Sequence, residues 1–305
     1  MNKILITIEG PTGIGKTNLA ISLAKYFNTE IVSADSRQFF KEMAIGTAVP
    51  SSEELREAKH HLIQHISIHD TYTVGHFEKE AINCIKEIHD KHEIAILVGG
   101  SGLYVNAVTD GLDKFPDISV KIRKRLNEML KIEGLETLQK KLEEVDPKSY
   151  HTIEIDNPHR VIRALEVSIG SGKPYSSFLG KPKKARPFHV IKLGITADRK
   201  IIYDRIEQRV DLMIQNGLIK EVKALEDYQH LNALNTVGYK EIFQYLNKQT
   251  SLEFAIAEIK KNTRRFAKRQ LTWLRKEKDI LWVNFDATLE DVIAQIENKQ
   301  KANQN

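Results

Sequence analysis

The stretch Gly10-Pro-Thr-Gly-Ile-Gly-Lys-Thr17 decides how the rest of the chain is read. It follows the pattern G-x-x-x-x-G-K-T, with both glycines, Lys16 and Thr17 in register. Ile4-Leu-Ile-Thr-Ile8 precedes it, a short β-branched apolar run that predicts a buried strand. Asn18 to Phe27 follows, apolar at 19, 20, 23, 24 and 27, which is helical spacing. Strand, glycine loop and helix in that order make a phosphate cradle. The glycines let the backbone turn inward so that successive N–H groups converge. The helix N-terminus adds partial positive charge at the same place. Gly10, Pro11, Thr12, Gly13, Ile14, Gly15, Lys16 and Thr17 are therefore the candidate di- or triphosphate site, with the Thr17 hydroxyl offered to Mg2+. Which phosphate is held, and what becomes of it, the motif leaves open.

The chain around this loop has ordinary globular composition. Its 305 residues are 41% hydrophobic and 29% charged, enough for a sizeable core in one large or two smaller domains. The net charge of +5 permits a nucleic-acid partner without requiring one. A single cysteine, Cys84, excludes an internal disulfide and a multi-cysteine zinc site, which favours a reducing compartment. No apolar run reaches membrane-spanning length, and the first strand begins after three residues with no leader pattern. The expectation is a cytoplasmic protein with no membrane partner.

Downstream, Thr29 to Ala34 reads as a second strand ending in Asp35-Ser-Arg-Gln38. Ligands in open α/β sheets bind beyond the carboxyl ends of the strands, which puts Asp35 beside the phosphate loop. As a residue following a strand, Asp35 is as good a helix N-cap as a catalytic group. Residues 44–76 read as a long loop with short helical pieces, one starting at Ser51. No cysteine or acidic ligand sits in phase with the histidines there, so they predict no metal site. Phe77 to His89 is an amphipathic helix and Glu93 to Val98 a third strand, ending in Gly99-Gly-Ser-Gly102. Many P-loop enzymes hold Mg2+ with an Asp at that strand end. Here two glycines stand there, which predicts close approach of a bulky ligand, with the Ser101 hydroxyl on the same rim.

From 113 to 187 strand-like runs disappear. Val120–Ile132, Glu136–Val145 and His159–Ile169 are helical patterns, and Lys181 to Arg186 is a basic linker. The α/β pattern resumes with a fourth strand at Phe188 to Ile195, a helix from Lys200 to Gln215, and a last strand at Ile280 to Val283. A closing helix is expected to about Glu297, then a polar tail. The fold class that follows is α/β: a P-loop NTPase-like parallel sheet with helices on both faces. Residues 1–112 and 188–305 form its core, and 113–187 a helical insertion domain. Residues 260–278 carry nine Lys or Arg and one acid, Glu277. On a helical wheel the nine share one half-turn, with Ile259, Phe266, Trp273 and Leu274 opposite. A face of one sign suits a polyanion.

These pieces together resemble the bacterial tRNA dimethylallyltransferase (tRNA isopentenyltransferase) family. The resemblance rests on the phosphate loop, Ser33-Ala-Asp-Ser36, Ile45-Gly-Thr-Ala48, His60-His-Leu-Ile63 and Val98-Gly-Gly-Ser-Gly-Leu-Tyr104. It continues in Val145-Asp-Pro147, Asn157-Pro-His-Arg160, Arg163 to Val167, Val237-Gly-Tyr-Lys240 and Lys268 to Trp273. It implies transfer of a dimethylallyl group from dimethylallyl diphosphate to N6 of the adenosine 3′-adjacent to the anticodon, with release of diphosphate. The loop would then hold a departing diphosphate with Mg2+, and Asp35 would accept the N6 proton, with Ser101 beside it. Arg209 resembles a family arginine that approaches the diphosphate. Asp35, Ser36, Arg37, Gln38, Ser101, Arg123, His159, Arg160, Val161, Ile162 and Arg163 match family positions that contact the tRNA anticodon stem-loop. Two positions depart from the family: Ser101 stands where Thr is usual, and Arg37 where many relatives are apolar. A monomer is expected. Two rival activities share the loop: an adenylate isopentenyltransferase, and a P-loop kinase acting on a small molecule.

Overall fold

The computed structural model describes residues 3–181 and 185–302. In chain order the elements are β1 (Ile4–Glu9), α1 (Lys16–Tyr26), β2 (Ile31–Ser33), α2 (Ser52–Glu57), β3 (His60–His61), α3 (Val74–His89), β4 (Ile94–Gly99) and α4 (Gly102–Thr109). Next come α5 (Val120–Glu133), α6 (Leu135–Val145), α7 (Pro147–Thr152) and α8 (Pro158–Ser171). Then follow β5 (His189–Thr196), α9 (Arg199–Gln215), α10 (Leu218–Lys223), α11 (Tyr239–Leu246), α12 (Leu252–Leu274), β6 (Ile280–Asn284) and α13 (Leu289–Ala302). Two compact units result, Met1–Asp110 with Arg186–Asn305, and Gly111–Ala185.

In the first unit six strands lie in the order β3-β2-β4-β1-β5-β6, every pair parallel. Ile4 to Glu9 runs opposite Ile94 to Gly99 on one side and His189 to Gly194 on the other. Alternate residues point to opposite faces of a strand. Ile6, Ile8, Ile96 and Val98 therefore join Leu23 of α1 and Ile296 of α13 in one core. Leu5, Ala95 and Leu97 join Phe77 and Ile85 of α3 and Val108 of α4 in a second. Both faces are covered, which is why β1 and β4 read as continuous apolar runs instead of alternating ones. A third core gathers around buried Tyr239, with Met43, Leu218, Val222 and Ile259.

The second unit is helical. Leu126 of α5, Leu138 and Leu142 of α6, and Val161, Ile162 and Leu165 of α8 form its core. The start of α8 is written locally: the Asn157 side chain accepts from the His159 and Arg160 N–H groups, and Pro158 takes the first helical position.

The structure departs from the expected elements at several places. Within 44–76, His60 and His61 pair with Ile31 and Val32 as an edge strand, too short to leave a periodic signal. Helix α12 starts at Leu252, capped by Ser251, and stops at Leu274, so 275–278 form a turn instead of helix. Helix α13 runs on to Ala302, and residues 303–305 of the expected tail lie outside the described residues. Of the basic linker, 182–184 lie outside the described residues, while Arg186 pairs with Glu78 at 2.6 Å.

The two faces of α12 also differ from the wheel. Ile259 and Leu274 are buried, but Phe266 and Trp273 are 39% and 41% exposed, on the rim of a cleft. Lys260 and Arg264 turn to α9 and pair with Asp211 and Glu207, each at 2.6 Å. Those two acids lie far away in sequence, so the wheel could not place them. Arg265, Lys268 and Arg269 remain exposed.

Candidate active site

Because the strands are parallel, β1, β2 and β4 end on one rim, and each delivers a functional segment there. β1 runs into the phosphate loop, β2 into Asp35, and β4 into Gly99–Ser101. Gly13 and Gly15 take φ of 80° and 109°, a left-handed conformation that glycine adopts without steric cost. Ile14 between them is 2% exposed and anchors the loop in the core. Its side chain therefore belongs to the core and leaves only its backbone for a ligand. Lys16 Nζ donates to the Gly10 and Pro11 carbonyls at 3.0 and 2.9 Å. Burial pulls the Lys16 ammonium down to about 8, with Asp35 opposing that pull and Arg209 adding to it. Beneath the loop, Glu9 is 4% exposed, and burial pushes its carboxyl up to about 7.

Helix α9 forms the opposite wall. Arg205 Nε donates to the Gly13 carbonyl at 2.9 Å, and its guanidinium lies over the Phe285 ring. Arg209, one turn on, lines the same cleft. Burial pushes its guanidinium below its usual value, and the charges of Asp35 and Glu54 pull it back. The cleft between loop and helix measures about 660 Å3 and is lined by Lys16, Thr17, Asp35, Glu54, Arg205 and Arg209 among others.

A second cleft of about 730 Å3 also has Asp35 in its lining. Ser36, Ser101, Lys240, Phe266 and Trp273 are among its lining residues. Thr12, Asp35 and Arg209 line both clefts. Asp35 sits in a turn, where its Oδ1 accepts the Arg37 N–H at 3.0 Å. One carboxylate oxygen thus orients the side chain by a cap-like bond, so the capping and chemical readings of Asp35 are compatible. The Ser101 hydroxyl donates to the Ser36 hydroxyl at 3.2 Å, across the turn from Asp35.

Neighbouring residues are tied to the protein itself. Arg37 Nη1 donates to the Asn232 and Ala233 carbonyls at 3.1 and 3.0 Å. Gln38 Nε2 donates to the Thr47 and Ala48 carbonyls at 3.2 and 2.9 Å. The Glu221 carboxylate accepts the Ala44, Ile45 and Gly46 N–H groups and the Tyr239 hydroxyl. These bonds hold Ile45-Gly-Thr-Ala48 in place, with Gly46 and Thr47 on the second cleft and Ala48 on the first. The glycines at the end of β4 line the clefts, Gly99 the first and Gly100 the second, and the protein's own packing also crowds them. A Cβ on Gly99 would collide with the Ala34 backbone, and one on Gly100 with the Gln270 amide.

In the helical unit, Arg123 and Arg163 donate to the same Glu166 oxygen at 3.3 and 2.9 Å. Arg163 also lies over the Phe115 ring, which stacks on Tyr175. His159 and Arg160 are exposed. Val161 and Ile162 are 0% and 2% exposed, so their side chains belong to the core and offer no RNA contact. They set the helix face that presents Arg160 and Arg163.

Sequence reasoning missed Arg205 and Gln270. Arg205 lies four residues before Arg209, one helical turn away on the same face, and that spacing was readable. Gln270 bonds the loop at Thr12; it lies in the Lys268 to Trp273 segment that carries the resemblance, but nothing in that segment points to its partner.

Among known proteins, the model of the family described as IPP transferase matches residues 38–277. A tRNA dimethylallyltransferase of Christiangramia forsetii is 58% identical over 299 residues, spanning 98% of this chain and 99% of the relative. The crystal structure of a tRNA isopentenylpyrophosphate transferase from Bacillus halodurans superposes with a TM-score of 0.72 at 37% identity, over 99% of this chain and 96% of the other. A eukaryotic dimethylallyltransferase acting on tRNA gives a TM-score of 0.82 at 26% identity, over 99% and 80% of the two chains. The chain belongs to the tRNA dimethylallyltransferase family of IPP transferases.

Proposed function

We propose that this protein transfers a dimethylallyl group from dimethylallyl diphosphate to N6 of the adenosine 3′-adjacent to the anticodon in tRNA, releasing diphosphate. The observation that carries this reading is the pair of clefts that meet at Thr12, Asp35 and Arg209. One is cationic and built on a phosphate loop. The other opens beside the exposed cations of α12 and two exposed aromatic rings on its rim. Two reactants entering from the two clefts meet at one carboxylate.

The allylic C–O bond breaks and its electron pair leaves with the diphosphate. Loop N–H groups, Lys16, Arg209 and the α1 N-terminus stabilise the charge that develops there. The N6 lone pair forms the new C–N bond, and the N6 proton passes to Asp35. Ser101, through Ser36, helps set the turn that aims Asp35. Mg2+ is a hard cation, and the Thr17 hydroxyl in the lining of this cleft offers it an oxygen donor. Thr17 would hold it, and when bound it neutralises charge on the leaving group.

A target base has to leave its stack to reach Asp35. Ser36, the backbone of Arg37 and Gln38, Ser101 and the α12 rim would receive it, while Arg123, His159, Arg160 and Arg163 would hold the anticodon stem-loop backbone. The enzyme would act as a cytoplasmic monomer. Mass spectrometry of nucleosides from tRNA incubated with the protein, Mg2+ and dimethylallyl diphosphate tests the reading. N6-dimethylallyladenosine next to the anticodon is the expected product. Prenylation of free AMP in place of tRNA, or ATP turnover without prenyl transfer, would overturn it.

A further inference from the structure

Gln270 is the one uncharged polar residue of Lys268-Arg-Gln, in the middle of the basic stretch of α12, and it points inward. Its Oε1 accepts the Thr12 N–H at 2.9 Å, and its Nε2 donates to the Gly100 carbonyl at 2.8 Å. One planar amide thus joins the phosphate loop to the end of β4. A Cβ on Gly100 would meet the end of this amide, so any larger residue there would displace the bridge. Three residues on, Trp273 closes against Gly102 in the same way, so α12 grips the β4–α4 turn at two points. Thr12 lines both clefts, and Gly100 and Gln270 line the second.

We propose that Gln270 is a positioning residue that fixes the width of the passage between the two clefts and keeps water out of it during prenyl transfer. The inference rests on the dimethylallyl-transfer reading above. The chemistry gives the passage its importance. Once the allylic C–O bond weakens, the carbon is captured by whichever nucleophile is within reach. Capture by N6 gives the modified base, with its proton going to Asp35. Capture by water gives dimethylallyl alcohol and diphosphate, with a proton released to solvent. A passage held to the dimensions of one adenine edge favours the first.

The side chain has little room for change. The bridge needs a donor and an acceptor on one rigid group at this reach. Asparagine is one methylene short. Methionine fills a similar volume but makes neither bond.

The test uses the full-length enzyme, Mg2+, dimethylallyl diphosphate and unmodified tRNA, with wild type, Gln270→Met and Gln270→Asn. Diphosphate released, dimethylallyl alcohol formed and prenyl transferred are counted in the same reactions, and thermal unfolding is recorded for each variant. In wild type, diphosphate and transferred prenyl groups should match one to one. In both variants, kcat for transfer should fall about ten- to a hundredfold with KM for tRNA unchanged, as expected for misplaced reactants. Diphosphate should then exceed transferred prenyl, with alcohol making up the difference. Folded variants that keep the one-to-one ratio would overturn the inference, and so would a loss of activity that follows lost thermal stability with no alcohol formed. Wild type that prenylates no tRNA would instead overturn the transfer reading, and the inference with it.

Discussion

Arg205 donates from Nε to the carbonyl of Gly13 at 2.9 Å, so the middle of the phosphate loop is held by a residue 192 positions later in the chain. The same guanidinium lies over the Phe285 ring. A lysine cannot make a planar bond to the carbonyl and stack at once. Arg205→Lys should therefore raise KM for dimethylallyl diphosphate about tenfold, by loosening a preorganised loop. KM for tRNA should hold. Steady-state kinetics with each substrate varied in turn checks this, and an unchanged diphosphate KM would show that the loop stands without the clamp.

Lys16 gives the enzyme a basic limb. Its ammonium titrates near 8 in the folded chain, below the ordinary 10.5. The free-enzyme profile, kcat/KM for the diphosphate, should fall above about pH 8 as Lys16 loses its charge. The limb in kcat should lie higher, because the bound anion stabilises the ammonium. For stability the sign is opposite. Between 8 and 10.5 the unfolded chain binds the extra proton, so the cost of burying charged Lys16 is present below pH 8 and is relieved as pH rises through that window. Lys16→Met should accordingly resist denaturant better than wild type at pH 7 while losing diphosphate affinity. Urea titration and calorimetry measure the two effects.

Asp35→Asn keeps an oxygen for the Arg37 N–H but cannot take a proton. Single-turnover transfer should slow about 10²- to 10⁴-fold, the usual range for a lost general base. The tRNA dissociation constant should barely move. A parallel loss of affinity would mark Asp35 as chiefly a binding group.

The basic helix divides into paired and unpaired cations. Reversing Arg265, Lys268 and Arg269 to Glu should weaken tRNA binding and lower its salt slope by about 0.7–0.9 for each phosphate that is no longer neutralised. Reversing Lys260, which is spent on Asp211, should leave that slope in place. Equal effects from the two sets would mean that the α9 pairs open to admit RNA.

Glu166 is 5% exposed and accepts from Arg123 and Arg163 together. Glu166→Gln should release both guanidiniums, lowering tRNA affinity about tenfold through lost preorganisation while leaving diphosphate KM unchanged. Filter binding at several salt concentrations reads the change. Full affinity in the variant would show that Arg123 and Arg163 act one by one.

How much of this was legible in the sequence depended on the range of the interaction. Strand, glycine loop and helix at Ile4–Tyr26 were readable because each part is specified by its own residues. Asp35 and Ser101 were placed on the rim by one topological rule for parallel strands. His60 and His61 were missed as a strand because two residues carry no period. Phe266 and Trp273 were assigned inward because a helical wheel ranks hydrophobicity and does not know where a cleft opens. Arg264 looked like an RNA-binding residue because Glu207, its partner, is 57 residues away. Gln270 stayed silent for the same reason. Its two bonds reach Thr12 and Gly100, and nothing in Lys268-Arg-Gln predicts either.

The bond between Thr12 and Gln270 also bears on when this enzyme comes into being. The phosphate loop is fastened by a side chain that lies 258 residues further along the chain. A nascent chain lacks that fastening until Gln270 has been made, and β6 and α13, which complete the sheet edge and the core beneath α1, follow Gln270 in the chain. Messages cut short upstream of Gln270 therefore yield no partially working enzyme.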